Sequence, residues 1–269
     1  MQQQISILGS GWLGVPLATT LDHKGYKVNI STTTQEKLSS LKKMGLAPYL
    51  IKLSEREVEG DIVNFLSGSD ILILNIPPGI RSNPNSNYVQ KIKNLVIPLE
   101  QSTITHLIYI SSTSVFEDKK HFPVITEKKR PDATKPAGKQ LIEVENLVIN
   151  LKSVATTLLR FGGLYDERRH PATMIAKKGI ISNPDAPVNL IHRIDCVRIV
   201  MEIIQQKKYD MIFNAASPSH PSKKEYYQRI CQEMGLRIPD ADISNTSVGK
   251  IIDSSYLEKE LNYIFTQSL

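Results

Sequence analysis

Short apolar runs alternate with longer amphipathic stretches through the first two-thirds of the chain. Residues 5–8 and 71–75 are almost continuously apolar, as a strand requires when helices cover both of its faces. Strands that alternate with helices in this way predict an α/β fold, a doubly wound sheet of parallel strands. The pattern places these strands at residues 5–8, 27–30, 71–75, 106–110 and 155–160, with a weaker one at 49–51.

Two of the intervening stretches predict long amphipathic helices. Between residues 87 and 99, apolar side chains recur at a spacing that places them on one helical face. A second helix is predicted over residues 136–150, because Pro136 suits the first turn of a helix and apolar residues follow at helical spacing.

The pattern changes after Arg160, where prolines and polar loops separate shorter elements. We therefore predict two domains, with residues 1–165 as the sheet domain and residues 166–269 as a smaller mixed lobe. Residues 211–214 form a further apolar run, which predicts one strand returning to the main sheet. Asp195 precedes apolar residues at helical spacing, which predicts that its side chain caps the N-terminus of a helix.

A glycine-rich loop joins the first predicted strand to the first predicted helix, and it reads Gly9-Ser10-Gly11-Trp12-Leu13-Gly14. This spacing is typical of the Rossmann-type site for the pyrophosphate of a dinucleotide. The first glycine permits the tight turn, the second lets the backbone approach the pyrophosphate, and the third lets the helix pack closely on the strand. Free amides at the helix N-terminus then hold the anion. The alternative interpretation is a tight turn that binds no ligand.

The end of the second strand bears on the choice between NAD and NADP. It reads Ser31-Thr32-Thr33-Thr34, and no Asp or Glu follows before Glu36. A carboxylate there would bind the ribose 2′-hydroxyl of NAD, whereas hydroxyls can donate to the 2′-phosphate of NADP. The sequence therefore favours NADP, with NAD as the alternative. These side chains can also serve to cap the helix that begins near Gln35.

Composition narrows the class of partner. The net charge is +6, but the basic residues are scattered rather than gathered in an arm with aromatics, which suits a small anionic substrate and argues against nucleic acid. No apolar run approaches the roughly 18–20 residues of a membrane span, and Met1-Gln2-Gln3-Gln4 lacks the basic start of a signal peptide. Two cysteines give no disulfide framework, and the histidines show no metal-ligand spacing. We expect a cytoplasmic protein with neither a metal nor a membrane partner.

Several segments occur in the order found in a known family. Residues 109–116, Tyr-Ile-Ser-Ser-Thr-Ser-Val-Phe, are similar to the fifth strand and exit loop of extended short-chain dehydrogenases/reductases, the NAD(P)-dependent epimerase/dehydratase group. Further matches lie at residues 159–165, 169–171, 189–195, 213–215 and 249–253. The Gly-Trp-Leu-Gly loop, Asn-Leu-Ile-His at 189–192 and Ala-Ser-Pro-Ser-His-Pro at 216–221 resemble the YeeZ-like branch of atypical members. The resemblance implies a Rossmann-type sheet with a small C-terminal substrate lobe.

In that family a serine, a tyrosine and a lysine act together. The resemblance assigns Ser112 to the serine, which orients the substrate oxygen, and Lys139 to the lysine, which holds the nicotinamide ribose. The tyrosine should lie four residues before Lys139, and Lys135 occupies that position. Lys135 can act as a base only if it is desolvated; the alternative is a solvated lysine at the start of the helix.

The remaining predicted contacts to the cofactor and the substrate follow from the positions of residues in the predicted fold and from the resemblance. Those to the cofactor are Asn75, Ile76, Pro77, Pro78, Ser111, Phe161, Gly162 and Gly163. Those to the substrate are Ser112, Thr113, Arg168, Arg169 and His192. An arginine pair suits a phosphate or carboxylate, and histidine can exchange protons near neutral pH. Tyr165 and His170 are further candidates for the missing proton donor, and the alternative for His192 is a ring fixed by backbone contacts.

Three functions compete at this point. The first is an NAD(P)-dependent oxidoreductase, epimerase or dehydratase acting on a small anionic or sugar-linked substrate. The second is a catalytically silent sensor of the cofactor, which the missing tyrosine favours. The third is a hydroxyacid-type dehydrogenase, because only one residue separates the first two glycines, although the proline-broken second part does not resemble an all-helical domain. By analogy with relatives, the two long helices suggest a homodimer.

Overall fold

A computed structural model describes residues 2–79 and 83–269. Its strands are β1 (Gln4–Leu8), β2 (Lys27–Thr32), β3 (Ala47–Leu53), β4 (Val58–Gly60), β5 (Ile71–Leu74), β6 (His106–Ser112), β7 (Val124–Ile125), β8 (Ala155–Phe161), β9 (Gly163–Tyr165), β10 (Ile180–Ile181), β11 (Leu190–His192), β12 (Ile212–Ala215), β13 (Asp240–Ala241) and β14 (Ile251–Ile252). Its α-helices are α1 (Gly14–His23), α2 (Gln35–Lys43), α3 (Ile62–Leu66), α4 (Tyr88–Glu100), α5 (Pro136–Ile149), α6 (Pro171–Lys178), α7 (Arg193–Gln205), α8 (Lys223–Glu233) and α9 (Ser255–Leu261).

An eight-stranded sheet forms the centre of the fold, in the order β12-β8-β6-β5-β1-β2-β3-β4. Strand β1 pairs in parallel with β2 and β5, and at the edge of the sheet β4 runs antiparallel to β3. The apolar runs that predicted β1 and β5 are fully buried, as a strand covered on both faces must be. The α/β prediction is confirmed, and each predicted strand of this sheet ends within two residues of its observed bounds.

The chain folds into two compact units, and each is assembled from three segments. The first unit contains the chain up to Ser112, then Thr134–Leu159 and Val200–Ile212. The second contains Thr113–Ala133, Arg160–Ile199 and Phe213–Leu269. The sequence prediction placed one boundary at residue 165 and returned only the strand at residues 211–214 to the main sheet, whereas the two compact units exchange several segments.

Both long helices predicted for the first unit are present. Asn87 caps α4 by accepting a hydrogen bond from the Gln90 amide at 2.9 Å, and Pro136 lies in the first turn of α5. Pro98 lies inside α4 near its C-terminal end. The two helices pack against each other, so the apolar faces that predicted them are used within this unit.

Short elements dominate the second unit. Three two-stranded parallel sheets pair β9 with β11, β10 with β13, and β7 with β14. The predicted cap of α7 is wrong, because Asp195 lies in the first turn of this helix. His192 ends β11 directly before it. The Asp195 carboxylate instead accepts hydrogen bonds from Tyr263 and Thr266 near the end of the chain.

Across residues 2–79 and 83–269, none of the helices combines the length and the apolar character needed to cross a membrane.

Candidate functional site

The glycine loop follows β1 directly, and two of its glycines are sterically required. A Cβ atom on Gly14 would lie 1.9 Å from the Gly9 carbonyl oxygen, and one on Gly9 would lie 2.5 Å from the Asn75 carbonyl oxygen. Gly9 also adopts a φ of +118°, which side chains rarely tolerate. By contrast, a Cβ on Gly11 would meet no atom within 4 Å. The loop therefore closes tightly at both ends and leaves open space beside its middle glycine.

Helix α1 begins at Gly14 without a side-chain cap. Leu13 occupies the N-cap position and makes no side-chain hydrogen bond to the first-turn amides. Ser10 and Leu13 are buried, and Trp12 is half-buried. An uncapped first turn that follows open space offers backbone donors and the positive end of the helix dipole to an anion. The geometry fits the pyrophosphate of a dinucleotide.

The four hydroxyls at the end of β2 differ in what they contact. Ser31 is buried and its Oγ accepts a hydrogen bond from the Gly9 amide at 2.8 Å, which ties β2 to the glycine loop. Thr32 is also buried, and its Oγ1 accepts from the Thr34 amide at 3.3 Å. Thr33 and Thr34 are exposed, and Thr34 takes the N-cap position of α2 without a side-chain cap. The helix-capping alternative is therefore wrong for the Thr34 side chain.

The segment after β5 is held by the backbone and by a buried tyrosine. The Asn75 amide donates to the Leu8 carbonyl at 3.0 Å, and the Ile76 carbonyl accepts from the Tyr88 hydroxyl at 2.9 Å. Pro77 is exposed and Pro78 half-buried. Asn75 thus lies beside the glycine loop as predicted, since its carbonyl limits the space at Gly9.

Buried polar groups surround the end of β6. The Ser111 hydroxyl donates to Glu145 Oε1 at 2.6 Å, and both residues are buried. The Tyr109 and Tyr88 hydroxyls lie 3.3 Å apart, and burial raises the pKa of Tyr109 well above its usual range. Tyr109 is fully buried, as expected for a residue within the strand. Glu145, which sequence reasoning missed, fixes Ser111 and so the strand end at which the half-buried Ser112 lies.

Both lysines assigned by the resemblance lie at the start of α5. Lys135 occupies the N-cap position and Lys139 follows one turn later, and both are exposed. The Lys139 amide donates to the Lys135 carbonyl at 3.0 Å. Lys135 lacks the burial that would favour its neutral form, so the interpretation as a solvated lysine fits the structure.

In the second unit, the segment Phe161-Gly162-Gly163 has a packing role. Phe161 is buried, and a Cβ on Gly162 would lie 2.7 Å from the Asn189 carbonyl oxygen. A Cβ on Gly163 would lie 2.6 Å from a methyl of Leu190. These glycines therefore permit the close approach of β11, whatever else the segment contacts.

Thr113 is buried in a short 3₁₀ helix, Thr113–Val115. The segment that follows is held by Lys250, whose ammonium donates to the Phe116 carbonyl and to Asp118 Oδ1, each at 2.8 Å. Lys250 lies in one of the segments that resemble the family, but its contacts could not be predicted, because its partners lie more than 130 residues away along the chain. Lys250 thus stabilises the loop after Thr113.

The loop after β9 comprises residues 166–170 and is named the Glu167 loop. Asp166 is buried, and its Oδ1 accepts from the amides of Arg168 and Arg169 at 3.0 and 2.7 Å. Its Oδ2 pairs with the Arg193 guanidinium at 2.9 Å. Arg168 and Arg169 are exposed, so Asp166 fixes the loop while both arginine side chains reach solvent.

His192 is buried beside this loop. Its Nε2 lies 3.2 Å from Glu167 Oε1, and its Nδ1 accepts from the Ile194 amide at 3.3 Å. The Tyr165 ring packs edge-on against both His192 and His170, with centroids 5.0 and 5.2 Å apart. The backbone contact fits the alternative interpretation of His192, its contact with a substrate stays a prediction, and its other nitrogen faces a carboxylate that the sequence reasoning overlooked.

In the part of the chain that the structure describes, there is neither an exposed cysteine nor a cluster of metal-ligating side chains. Cys196 and Cys231 are free and buried, and burial raises the pKa of the Cys196 thiol well above its usual range, as befits a packing residue. Within the two described ranges of the chain, no three His, Cys, Asp or Glu side chains gather as ligands for a metal ion.

Known proteins resemble this chain over nearly its whole length, although no family model matches it. The protein YeeZ of Escherichia coli is 32% identical over 266 residues, which cover 97% of this chain and 95% of YeeZ.

Solved structures share the fold. A UDP-glucose 4-epimerase of Thermotoga maritima superposes with a TM-score of 0.81 at 15% identity, covering 99% of this chain and 94% of that one. A UDP-glucuronic acid 4-epimerase of Bacillus cereus, solved in complex with NAD, gives a TM-score of 0.79 at 18% identity, covering 99% and 92%. The chain therefore belongs to the family of YeeZ and shares the fold of these two epimerases.

Proposed function

We propose that this protein is an NAD(P)-dependent oxidoreductase of the epimerase/dehydratase kind that acts on a small anionic or sugar-linked substrate. The observation that supports it most is the glycine loop, in which Gly9 and Gly14 cannot carry a Cβ while Gly11 faces open space. A bound nicotinamide would supply the acceptor or donor of hydride. The loop and the uncapped start of α1 would hold the pyrophosphate.

The cofactor is proposed to be NADP. The Ser31 and Thr32 side chains are buried and each accepts a hydrogen bond from a backbone amide, whereas the Thr33 and Thr34 hydroxyls are exposed and can donate to a 2′-phosphate. No carboxylate in β2 would repel that phosphate. The structural neighbour from Bacillus cereus was solved with NAD, so the preference depends on this chain's own hydroxyls.

The substrate is proposed to be anionic because two exposed arginines, Arg168 and Arg169, lie on a loop whose backbone Asp166 fixes. Two structural neighbours are epimerases of UDP-sugars, which supports a sugar-linked class. Ser112 would donate a hydrogen bond to the substrate oxygen, and Lys139 would contact the nicotinamide ribose. We also propose a homodimer and a cytosolic location; the two buried, free cysteines are compatible with a reducing compartment.

Native mass spectrometry of the purified protein tests binding and assembly together. We expect the mass of a dimer with NADP retained on each chain. Turnover is then measured by nicotinamide absorbance over a panel of sugar nucleotides and small anionic carbonyl compounds. Ser112→Ala should reduce kcat by at least about 100-fold without loss of cofactor. A firmly bound cofactor with no turnover anywhere on the panel would contradict the oxidoreductase proposal and favour a sensor.

The preference for NADP is tested with a change of charge at Thr33. Thr33→Asp should raise the Kd for NADP at least tenfold while changing that for NAD little, because a carboxylate repels a 2′-phosphate. Thr33→Asn has the same shape without the charge and serves as the control. Equal effects of Asp and Asn on NADP, or recovery of NAD from the purified protein, would contradict the assignment.

A further inference from the structure

We propose that Gln140 is a positioning residue of the cofactor site, which fixes Lys139 for its contact with the nicotinamide ribose. The inference rests on the proposed function, since it concerns how the proposed dinucleotide is held. Gln140 directly follows Lys139 in α5, and its half-buried side chain contacts the backbone at the start of α4. Both helix starts belong to the first compact unit.

The side-chain amide of Gln140 makes two hydrogen bonds of opposite direction. Its Oε1 accepts from the Tyr88 amide at 2.6 Å, and its Nε2 donates to the Ser86 carbonyl at 3.0 Å. Ser86 and Tyr88 are both buried. A carboxamide can accept from one backbone group and donate to the other, which neither a carboxylate nor an apolar side chain of similar length can do. The pair of contacts therefore depends on the identity of this side chain.

The Tyr88 amide is a donor that α4 cannot satisfy by itself. The first amides of a helix have no carbonyl partner within that helix. In α4 the Asn87 side chain accepts from the Gln90 amide at 2.9 Å, and Gln140 of the neighbouring helix accepts from the Tyr88 amide. Because Tyr88 is buried, loss of this acceptor would leave a costly unpaired donor. Gln140 thus joins the starts of α4 and α5.

The Tyr88 side chain extends this connection to the segment after β5. Its hydroxyl donates to the Ile76 carbonyl at 2.9 Å and lies 3.3 Å from the Tyr109 hydroxyl of β6. Ile76 belongs to the segment that is proposed to contact the adenosine and pyrophosphate side of the cofactor. Tyr88 therefore links the start of α5, through its amide, to this segment, through its hydroxyl.

Helix α5 is also held on its other neighbour, β6. The buried Glu145 carboxylate accepts from the Ser111 hydroxyl at 2.6 Å. Lys139 itself is exposed, and its ammonium is carried on a long flexible stem. Such a group reaches a ligand with a defined geometry only when the backbone that carries it is fixed by supporting contacts. Gln140 supplies that constraint one residue away from Lys139.

The two halves of the dinucleotide distinguish this role from a general structural one. Lys139 is proposed to contact the nicotinamide ribose, so loss of Gln140 should weaken the binding of that half. Adenosine 2′,5′-bisphosphate carries the adenosine and the 2′-phosphate of NADP but lacks the nicotinamide ribose. A general loss of structure would weaken the binding of both compounds, whereas a displaced Lys139 would weaken that of NADP alone.

Gln140→Met tests the inference, because it removes both hydrogen bonds and keeps a side chain of similar length. We expect it to raise the Kd for NADP about tenfold and to change that for adenosine 2′,5′-bisphosphate by less than about twofold. Gln140→Glu keeps an acceptor for the Tyr88 amide, so it should recover part of the affinity for NADP. Should the protein bind NAD instead, the same comparison is made with NAD and ADP.

Gln90→Met is the matched control in these titrations. Gln90 is also half-buried, and its Nε2 donates to Asn94 Oδ1 at 2.9 Å within α4. Since neither residue contacts α5 in this way, Gln90→Met should leave both dissociation constants unchanged.

Hydrogen exchange of the Tyr88 amide, in the protein without cofactor, tests the contact itself. Gln140→Met should speed this exchange at least about tenfold, and Gln90→Met should not. Unchanged exchange would overturn the contact, and equal weakening of NADP and adenosine 2′,5′-bisphosphate would overturn the positioning role. Wild-type affinity for NADP in Gln140→Met would overturn the inference alone, whereas a wild-type protein that binds no dinucleotide would overturn the proposed function as well.

Discussion

The glycine loop of the first unit and the Glu167 loop of the second both follow a strand, but they are built from different parts of the chain. The glycine loop is held mainly by backbone atoms. The carbonyl oxygens of Gly9 and Asn75 limit the space at Gly14 and Gly9, and the Gly9 amide donates a hydrogen bond to the Ser31 hydroxyl. The Glu167 loop is formed by charged side chains, with buried Asp166 at its base and Arg193 and His192 as partners.

The difference explains what each loop can do. Backbone amides and open space suit an anion common to many enzymes, because they recognise shape and charge without depending on side-chain identity. Side chains with ionisable groups can instead vary between branches of one family and supply proton transfer.

The largest expected effect is a loss of stability at a constrained glycine, Gly14, that is absent at the open one, Gly11. Gly14→Ala places a Cβ 1.9 Å from a carbonyl oxygen, so it should lower the free energy of unfolding by about 3 kcal/mol or more and abolish cofactor binding. Gly11→Ala should change stability by less than about 0.5 kcal/mol yet raise the Kd of the dinucleotide at least tenfold. Chemical denaturation and cofactor titration measure both quantities.

The contrast between these variants is the critical result. If Gly11→Ala binds the dinucleotide as tightly as the wild type, the open space beside Gly11 does not hold the pyrophosphate. If Gly14→Ala is as stable as Gly11→Ala, the close contact with Gly9 does not constrain the loop.

An intermediate effect on stability is expected at Asp195, in the first turn of α7. Its Oδ1 accepts from the Tyr263 hydroxyl at 2.6 Å and from the Thr266 hydroxyl and amide at 2.8 and 3.0 Å. Asp195→Ala leaves these donors without their acceptor and should cost about 2–3 kcal/mol of stability. Tyr263→Phe removes one donor and should cost about 1 kcal/mol. Equal stability of the Ala variant and the wild type would show that this buried carboxylate does not anchor the chain end.

The smallest expected effect is a pH dependence of stability caused by His170, at the end of the Glu167 loop. The pKa of His170 is lowered from its ordinary value of 6.5 by burial and by the charge of His192. Below that value the unfolded chain binds a proton that the folded state resists, so stability is present at neutral pH and is lost as the pH falls toward the folded-state pKa.

His170→Asn should therefore flatten the fall in Tm between pH 7.5 and 5.5, conditions chosen to bracket about 6.5. His106→Asn, in the first unit, should flatten the same fall separately, because burial also lowers the pKa of His106. Identical Tm–pH curves for wild type and His170→Asn would contradict the assignment.

Local patterns predicted much of the first unit. Apolar runs predicted β1 and β5 because both strands are buried on two faces. The spacing of the glycines predicted the roles of Gly9 and Gly14, because those roles depend on backbone geometry. The same logic failed at Asp195, where the position before an apolar helix suggested a cap. Its actual partners, Tyr263 and Thr266, lie about 70 residues later, beyond the reach of a local rule.

The side-chain contacts of the second unit could not be predicted for a related reason. Glu167 meets His192 only because β9 and β11, each three residues long, pair in a particular register. Strands this short carry little periodic signal. Ser31 illustrates a similar limit, since no local pattern predicted that its hydroxyl accepts a hydrogen bond from the Gly9 amide on the neighbouring strand's loop.

The interleaving of the two units also has a consequence for synthesis. The first unit requires its last segment, Val200–Ile212, and the Leu158 amide of β8 donates to the Met211 carbonyl at 2.8 Å. The whole middle segment of the second unit, Arg160–Ile199, is therefore synthesised before the first unit has its last segment. The growing chain would expose an unfinished edge beside β8 until then, which makes this interval the one in which a chaperone is most useful.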